Sequence, residues 1–231
     1  MKRIIVVQSR TDESDIARER ENFEKVTDGL ATVEFLSVLD ERLAWSTPDE
    51  FLANHEGVIF GGSADFDFDG GRPQKDPVRI ISLLLLSRTR NLVSYAFEKE
   101  IPILGICYGH QLIANMFGGD VRNDLEQTKF GSFTVTLTEE GKSDPLLKGL
   151  PDSFPAQYAH KDSVTFLPEG ATLLASTAGC KFSALRYTDK AYTFQFHPEV
   201  EKFSNQILEF KESPDASKIV PLWIERVVAS A

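Results

Sequence analysis

Cysteine is scarce in this 231-residue chain, with Cys107 and Cys180 the only two. A pair at that separation offers neither a metal-type spacing nor a disulfide framework. A thiol left free for chemistry fits a reducing compartment, so a cytoplasmic protein is expected. Histidine is sparse too, limited to His55, His110, His160 and His197. No apolar run is long enough to span a bilayer, and no membrane role is expected. The opening Met1-Lys2-Arg3 and the short run after it do not read as a signal peptide. Basic residues are outnumbered, and a net charge of −10 disfavours a nucleic-acid surface. Internal repeats, low-complexity tracts and Gly/Ser linkers are missing, so one domain over residues 1–231 is expected. What is present is ordinary: 42% hydrophobic and 26% charged residues, a balance that can bury a core without staples.

The first half alternates strand-like and helix-like stretches. Residues 3–7 are a β-branched run that suits a buried parallel strand. Residues 12–26 carry Ile16, Phe23 and Val26 among charges, the pattern of an exposed amphipathic helix. Residues 31–38 read as a second strand. Residues 48–54 read as a short helix with Thr47 as its cap and Pro48 at its first position. Residues 58–60 make a third strand that stops at Gly61-Gly62-Ser63. After a loop rich in Asp, Gly and Pro at 64–77, residues 78–98 lack Gly and Pro and read as a long helix. This alternation argues for a parallel sheet with helices on both faces. The second half has period-two alternation at 130–138 and short strands at 164–166, 171–176, 182–187 and 192–196, which suggests hairpins or a mixed sheet at one edge. Residues 199–210 and 218–228 read as closing helices.

Chemistry concentrates where residues 101–106 end in Gly105-Ile106-Cys107-Tyr108-Gly109-His110-Gln111. A buried strand that stops in Gly-x-Cys-x-Gly and runs into a helix is the pattern of a nucleophile elbow. A helix N-terminus favours thiolate, the attacking form. The competing reading is a buried structural cysteine at a strand end. A cysteine nucleophile needs a base and a group to orient it. His110 lies too close in sequence to swing freely. His197 follows a strand and opens His197-Pro198-Glu199, with Glu199 placed to fix the imidazole tautomer and stabilise its charged form. Oxyanion donors are expected from the Tyr108 N–H and from the Gly61-Gly62 turn. Cys180 reads as structural.

These motifs together resemble the class I (triad) glutamine amidotransferase family. The match rests on the elbow, on His197-Pro198-Glu199 and on Gly61-Gly62, with softer support from Phe130-Gly131 and from His160-Lys161-Asp162-Ser163-Val164. The last segment is similar to one in the GMP synthetase branch and in related stand-alone members. The resemblance covers roughly residues 4–210. It implies a flavodoxin-like, open, mostly parallel α/β sheet with helices on both faces and a small added antiparallel or mixed sheet. It implies a Cys107–His197–Glu199 triad that hydrolyses the glutamine amide, or a γ-glutamyl amide, through a γ-glutamyl thioester. Gly61, Gly62, Tyr108, Gln111, Phe130 and Gly131 would bind substrate or the oxyanion, and His160 and Asp162 would contact substrate or a partner. No metal and no cofactor are expected. The implied partners are glutamine or a γ-glutamyl small molecule and, in one version, a separate synthase subunit.

Two departures from the family stand out. Ser63 takes the place where the family has Pro after Gly-Gly, and the next loop carries Asp65, Asp67 and Asp69. With Gly70 and Asp76 these match a calcium-loop spacing, but Arg72 and Pro73 argue against one. The loop reads better as an acidic lid that selects a cationic or amine-bearing substrate. Other functions stay open: a self-contained γ-glutamyl peptidase or hydrolase, a non-catalytic regulatory module, and a cysteine peptidase or isomerase on a related sheet.

Overall fold

The computed structural model describes residues 1–203 and 210–231. Its elements run β1 (Lys2–Gln8), α1 (Glu13–Thr27), β2 (Ala31–Ser37), α2 (Asp49–Leu52), β3 (Gly57–Phe60), α3 (Pro77–Glu98), β4 (Ile103–Ile106) and α4 (Tyr108–Met116). There follow β5 (Val121–Asn123), β6 (Lys129–Leu137), α5 (Glu139–Ser143), β7 (Ser153–His160), β8 (Asp162–Val164), β9 (Thr172–Thr177), β10 (Cys180–Thr188) and β11 (Ala191–Phe194). A 3-10 turn at Ala216–Lys218, α6 (Ile219–Trp223) and a π-helical turn at Ile224–Val228 close the chain.

Nine strands form one sheet in the order β2-β1-β3-β4-β11-β10-β9-β6-β7. The first five are mutually parallel and have the flavodoxin-like order. The strands beyond β11 are antiparallel and prolong the same sheet. The separate small sheet is only the β5–β8 ribbon. Alternation along the strands explains the two helical layers. Ile4, Val6, Ile59 and Leu104 face one side, against Phe23 of α1 and Trp223 of α6. Ile5, Val7, Val58 and Ile103 face the other, against Leu85 and Leu92 of α3 and Leu112 of α4. Each such side chain contributes roughly 1.5–3 kcal/mol by leaving water. Gly57 makes room for Trp223, whose ring would lie 2.8 Å from a Cβ there.

Several local expectations change. Thr47 does not cap α2, because its hydroxyl donates to Ala44 O (2.9 Å). The strand expected at 164–166 is β8, shifted back to Asp162–Val164. The helix expected at 199–210 does not begin after Pro198: residues 199–203 form a turn and irregular chain. Residues 204–209 lie outside the described residues. Three elements had no counterpart in the sequence reading: α5, β5 and β7. Strand β7 holds Pro155 and sits at the sheet edge, where a missing N–H leaves no ladder bond unmade. Among the described residues, no helix is long and apolar enough to cross a membrane.

Candidate active site

The C-terminal ends of the parallel strands β1, β3, β4 and β11 meet at one edge of the sheet, the usual place for ligands in open α/β sheets. Each contributes to one cleft of about 220 Å³, room for an amino-acid-sized ligand.

Cys107 sits at the turn between β4 and α4 with φ 52° and ψ −101°. A non-glycine residue held there costs of order 1–3 kcal/mol, and the surroundings enforce it. Its N–H donates to Phe194 O (2.8 Å) and its carbonyl accepts the first α4 bond, from Gln111 N (3.1 Å). The flanking glycines are steric necessities. A Cβ on Gly109 would lie 2.1 Å from Phe60 O, and one on Gly105 would lie 2.9 Å from Gly109 O. Helix α4 thus packs backbone to backbone on β3, and Gly109 N–H donates to Gly61 O (3.1 Å).

His197 is fixed through its backbone N–H, which donates to Gln157 O (2.8 Å). Its Nδ1 lies 2.7 Å from Glu199 Oε1, and both side chains are almost fully buried. Among the described residues, Nε2 has no oxygen or nitrogen hydrogen-bond partner. Burial works against the imidazolium, but the Glu199 carboxylate and the neighbouring Cys107 outweigh it and raise His197 to about 10. The two halves of the site converge at Gly62. The position a Gly62 Cβ would take lies 3.1 Å from His197 Cε1 and 3.6 Å from Cys107 Cβ. Glycine there keeps the gap between the two open.

The other expected residues are distributed less evenly. Gly61 N–H is occupied by Val7 O (3.1 Å), so Gly61 is not a free donor; among the described residues Gly62 N–H has no backbone acceptor. Gln111 lines the cleft, but its amide donates to Asp162 O (2.7 Å) and Gln195 Oε1 (3.3 Å), so it braces the wall. Phe130 lines the mouth at 48% exposure. Gly131 follows it within β6 with φ 128°. His160 is buried on the cleft wall, its Nδ1 3.0 Å from Asp162 O, and burial lowers it to about 4. Both Asp162 carboxylate oxygens accept loop amides, from Asp69 N and Gly70 N at 2.7 Å each.

That last contact revises the acidic lid. Asp65 accepts from Thr11 N (2.7 Å), Asp67 pairs with Arg72 (3.1 Å) and Asp69 with Arg79 (3.4 Å). The three carboxylates diverge, each to its own partner, and do not present a common face to a cation. Phe68 stacks on Tyr108 with ring centroids 5.3 Å apart. The loop is a strap fastened across the cleft by Asp162 and Tyr108.

One cluster had no place in the sequence reading. Arg10, just after β1, lines the cleft with its Nε 3.0 Å from Glu19 Oε1. Gln8 Nε2 donates to Glu19 Oε2 (2.9 Å), and Arg20 Nε donates to Gln8 Oε1 (3.0 Å). Burial opposes the Arg10 charge, but Glu19, with Glu199 and Cys107, overcomes it and raises Arg10. Burial raises Glu19, against the pull of Arg10 and Gln8. The short contact and the Gln8 bond favour an ionised pair. The signal was positional: a polar residue after β1 falls at the same sheet edge as the ends of β3, β4 and β11.

Residues 82–209 match the family model described as glutamine amidotransferase class-I. The chain is 34% identical over 172 residues to a subunit of the glutamine-hydrolyzing GMP synthase of Methanothermobacter thermautotrophicus, covering 73% of this chain and 80% of that one. It is 37% identical over 157 residues to the glutamine-hydrolyzing GMP synthase of Latilactobacillus sakei, covering 67% of this chain but only 26% of that longer protein. Among solved structures, a candidate GMP synthase subunit from Thermoplasma acidophilum superposes with a TM-score of 0.72 at 23% identity, covering 100% of this chain and 95% of that one. The matched segment holds the elbow and His197-Pro198-Glu199, and the chain belongs to the class I glutamine amidotransferase family.

Proposed function

We propose that the chain hydrolyses the side-chain amide of glutamine with Cys107 as nucleophile, His197 as acid and base, and Glu199 as the group that orients His197. The observation that carries this reading is the convergence at Gly62. A buried His197–Glu199 pair and a cysteine at a strained elbow border the same gap.

His197 Nε2 takes the proton of the Cys107 thiol. The Cys107 sulfur then attacks the amide carbon, and the carbonyl π electrons move to oxygen. The oxyanion is received by the Tyr108 N–H, the first of α4, and by the Gly62 N–H. On collapse the C–N bond breaks, and His197 Nε2 gives its proton to the nitrogen, which leaves as ammonia. Water attacks the γ-glutamyl thioester and loses a proton to His197. Glutamate leaves as the C–S bond breaks, and His197 returns the proton to the sulfur. Gln111, His160 and Asp162 hold the wall and the strap around the bound glutamyl group.

The names of the relatives, which are subunits of a synthase, support a further reading in which the ammonia passes to a separate synthase chain. The test is ammonia release by the isolated chain on glutamine and on γ-glutamyl peptides, each repeated with Cys107→Ala. The proposal expects ammonia from glutamine, lost in the variant. Rapid partner-free cleavage of the peptides with glutamine left intact would replace it with the self-contained hydrolase. No turnover of either would favour the regulatory module.

A further inference from the structure

Arg10 is a buried charge in the cleft for which the hydrolytic scheme has no use. Its back is fixed by Glu19, which is held by Gln8, itself held by Arg20. Its front is not. Nη2 lies 3.3 Å from the position a Gly62 Cβ would take, the same position that lies 3.1 Å from His197 Cε1 and 3.6 Å from Cys107 Cβ. The guanidinium side chain is only 11% exposed. A buried ion pair is a poor stabiliser of a fold, since well-packed apolar side chains do as well or better. The charge has to be explained by what it faces.

We propose that Arg10 is a positioning residue that sets a fixed positive charge on the Gly62 side of Cys107, stabilising the thiolate and then the oxyanion formed when it attacks. A guanidinium stays charged throughout, so it can do this without exchanging a proton. Glu19 sets the strength of the field, because its carboxylate cancels part of the charge that Cys107 feels. Among the described residues, the titratable and charged groups around Cys107 or lining its cleft are His197 and Glu199 after β11, His160 at the end of β7 with Lys161 and Asp162 just beyond it, Arg10 after β1, Asp15, Arg18 and Glu19 on α1, Asp67 of the strap, Tyr108 on α4, and Cys180 with Lys129 on β10 and β6. Arg10 and Glu19 are the oppositely charged pair that reaches the Gly62 position beside Cys107, and they can be removed without touching the proposed base or its orienter. The proposal rests on Cys107 as the nucleophile but not on glutamine as the substrate.

The test is the rate–pH profile of Cys107 alkylation by iodoacetamide in the full chain. The modified peptide is followed by mass, and each variant is checked for folding by thermal melting. Arg10→Gln is expected to move the acid limb to higher pH and slow alkylation there by about tenfold, the effect of losing one nearby charge. Arg10→Lys keeps the charge and should stay within about threefold of the parent. Glu19→Gln should move the limb the other way and speed alkylation. An unmoved limb in Arg10→Gln overturns the proposal, as does a Glu19→Gln shift in the same direction as Arg10→Gln. If Arg10→Gln does not fold, Glu19→Gln and Arg10→Lys decide by the same signs. Alkylation needs no glutamine, so this result is independent of whether the chain hydrolyses it.

Discussion

At the scale of single residues, the groups at the cleft carry unequal weights. Cys107→Ala removes the proposed thioester-forming sulfur, and His197→Ala removes the proposed proton carrier. Each should lower kcat for glutamine by at least about a thousandfold, leaving what the oxyanion donors alone supply. Glu199→Gln keeps the shape and one acceptor oxygen beside Nδ1 but removes the charge that helps raise His197. It should cost less than either. A His197→Ala enzyme with near-normal kcat, measured in the steady state, would show that the base lies elsewhere. Cys180 is buried, and burial pushes its thiol up to about 11, so it is a poor nucleophile. Cys180→Ser should leave turnover intact.

The elbow was legible because its requirement is local. Gly105 and Gly109 flank Cys107 in the sequence, and the close approaches they permit follow from that spacing. His197-Pro198-Glu199 was legible for the same reason. Arg10 was not, because nothing within a few residues of it marks its partner Glu19 or its approach to Gly62. The aspartate loop misled for the converse reason. Asp65, Asp67 and Asp69 are evenly spaced in sequence, yet Thr11, Arg72 and Arg79 draw them apart.

At the scale of elements, two contacts fix the cleft. The first is α4 against β3. Gly109→Ala puts a Cβ 2.1 Å from Phe60 O, a backbone atom that cannot yield without moving the strand. A loss of about 3 kcal/mol or more is expected in denaturant melts, toward the upper end of overpacking costs. A loss under about 1 kcal/mol would mean that the helix can slide on the sheet. The second contact is the strap at 64–76, held by the two bonds to the Asp162 carboxylate. Asp162→Ala leaves those amides without their acceptor. Hydrogen exchange at Asp69 and Gly70 should accelerate, and KM for glutamine should rise more than kcat falls. Unchanged protection at those two amides would show that the Phe68–Tyr108 stack alone holds the strap. Of the parallel strands, β1, β3 and β4 could be read from apolar runs, whereas β2 showed only a weak alternation. The edge strand β7 could not, because Pro155 and polar neighbours interrupt any run and only the sheet margin makes them acceptable.

At the scale of the molecule, buried histidines couple folding to pH with opposite signs. His110 is completely buried with Nδ1 2.8 Å from Thr193 Oγ1, and burial lowers it to about 3. His160 is lowered to about 4 for the same reason. Both are neutral in the fold and take up a proton on unfolding below 6.5, the value for a free imidazole. Their contribution is present above that pH and is lost as pH falls toward 4 and 3. His197 runs the other way. Its contribution is full below 6.5 and is lost as pH rises through about 10. Stability measured by denaturant melts should therefore fall on acidification from neutral pH, and His110→Gln should remove about one proton from that slope. An unchanged slope in the variant would mean that His110 is already charged in the folded protein. The net charge of −10 was visible from composition, but these couplings were not, since burial depends on how the strands pair.

The central claim is that Cys107 is the nucleophile and His197 its proton partner. It is tested most directly by mass analysis after treatment with a glutamine analogue that carries an electrophile in place of the amide. One adduct is predicted, at Cys107, absent in Cys107→Ala and formed much more slowly in His197→Ala. An adduct at Cys180, or one that persists without Cys107, would contradict it.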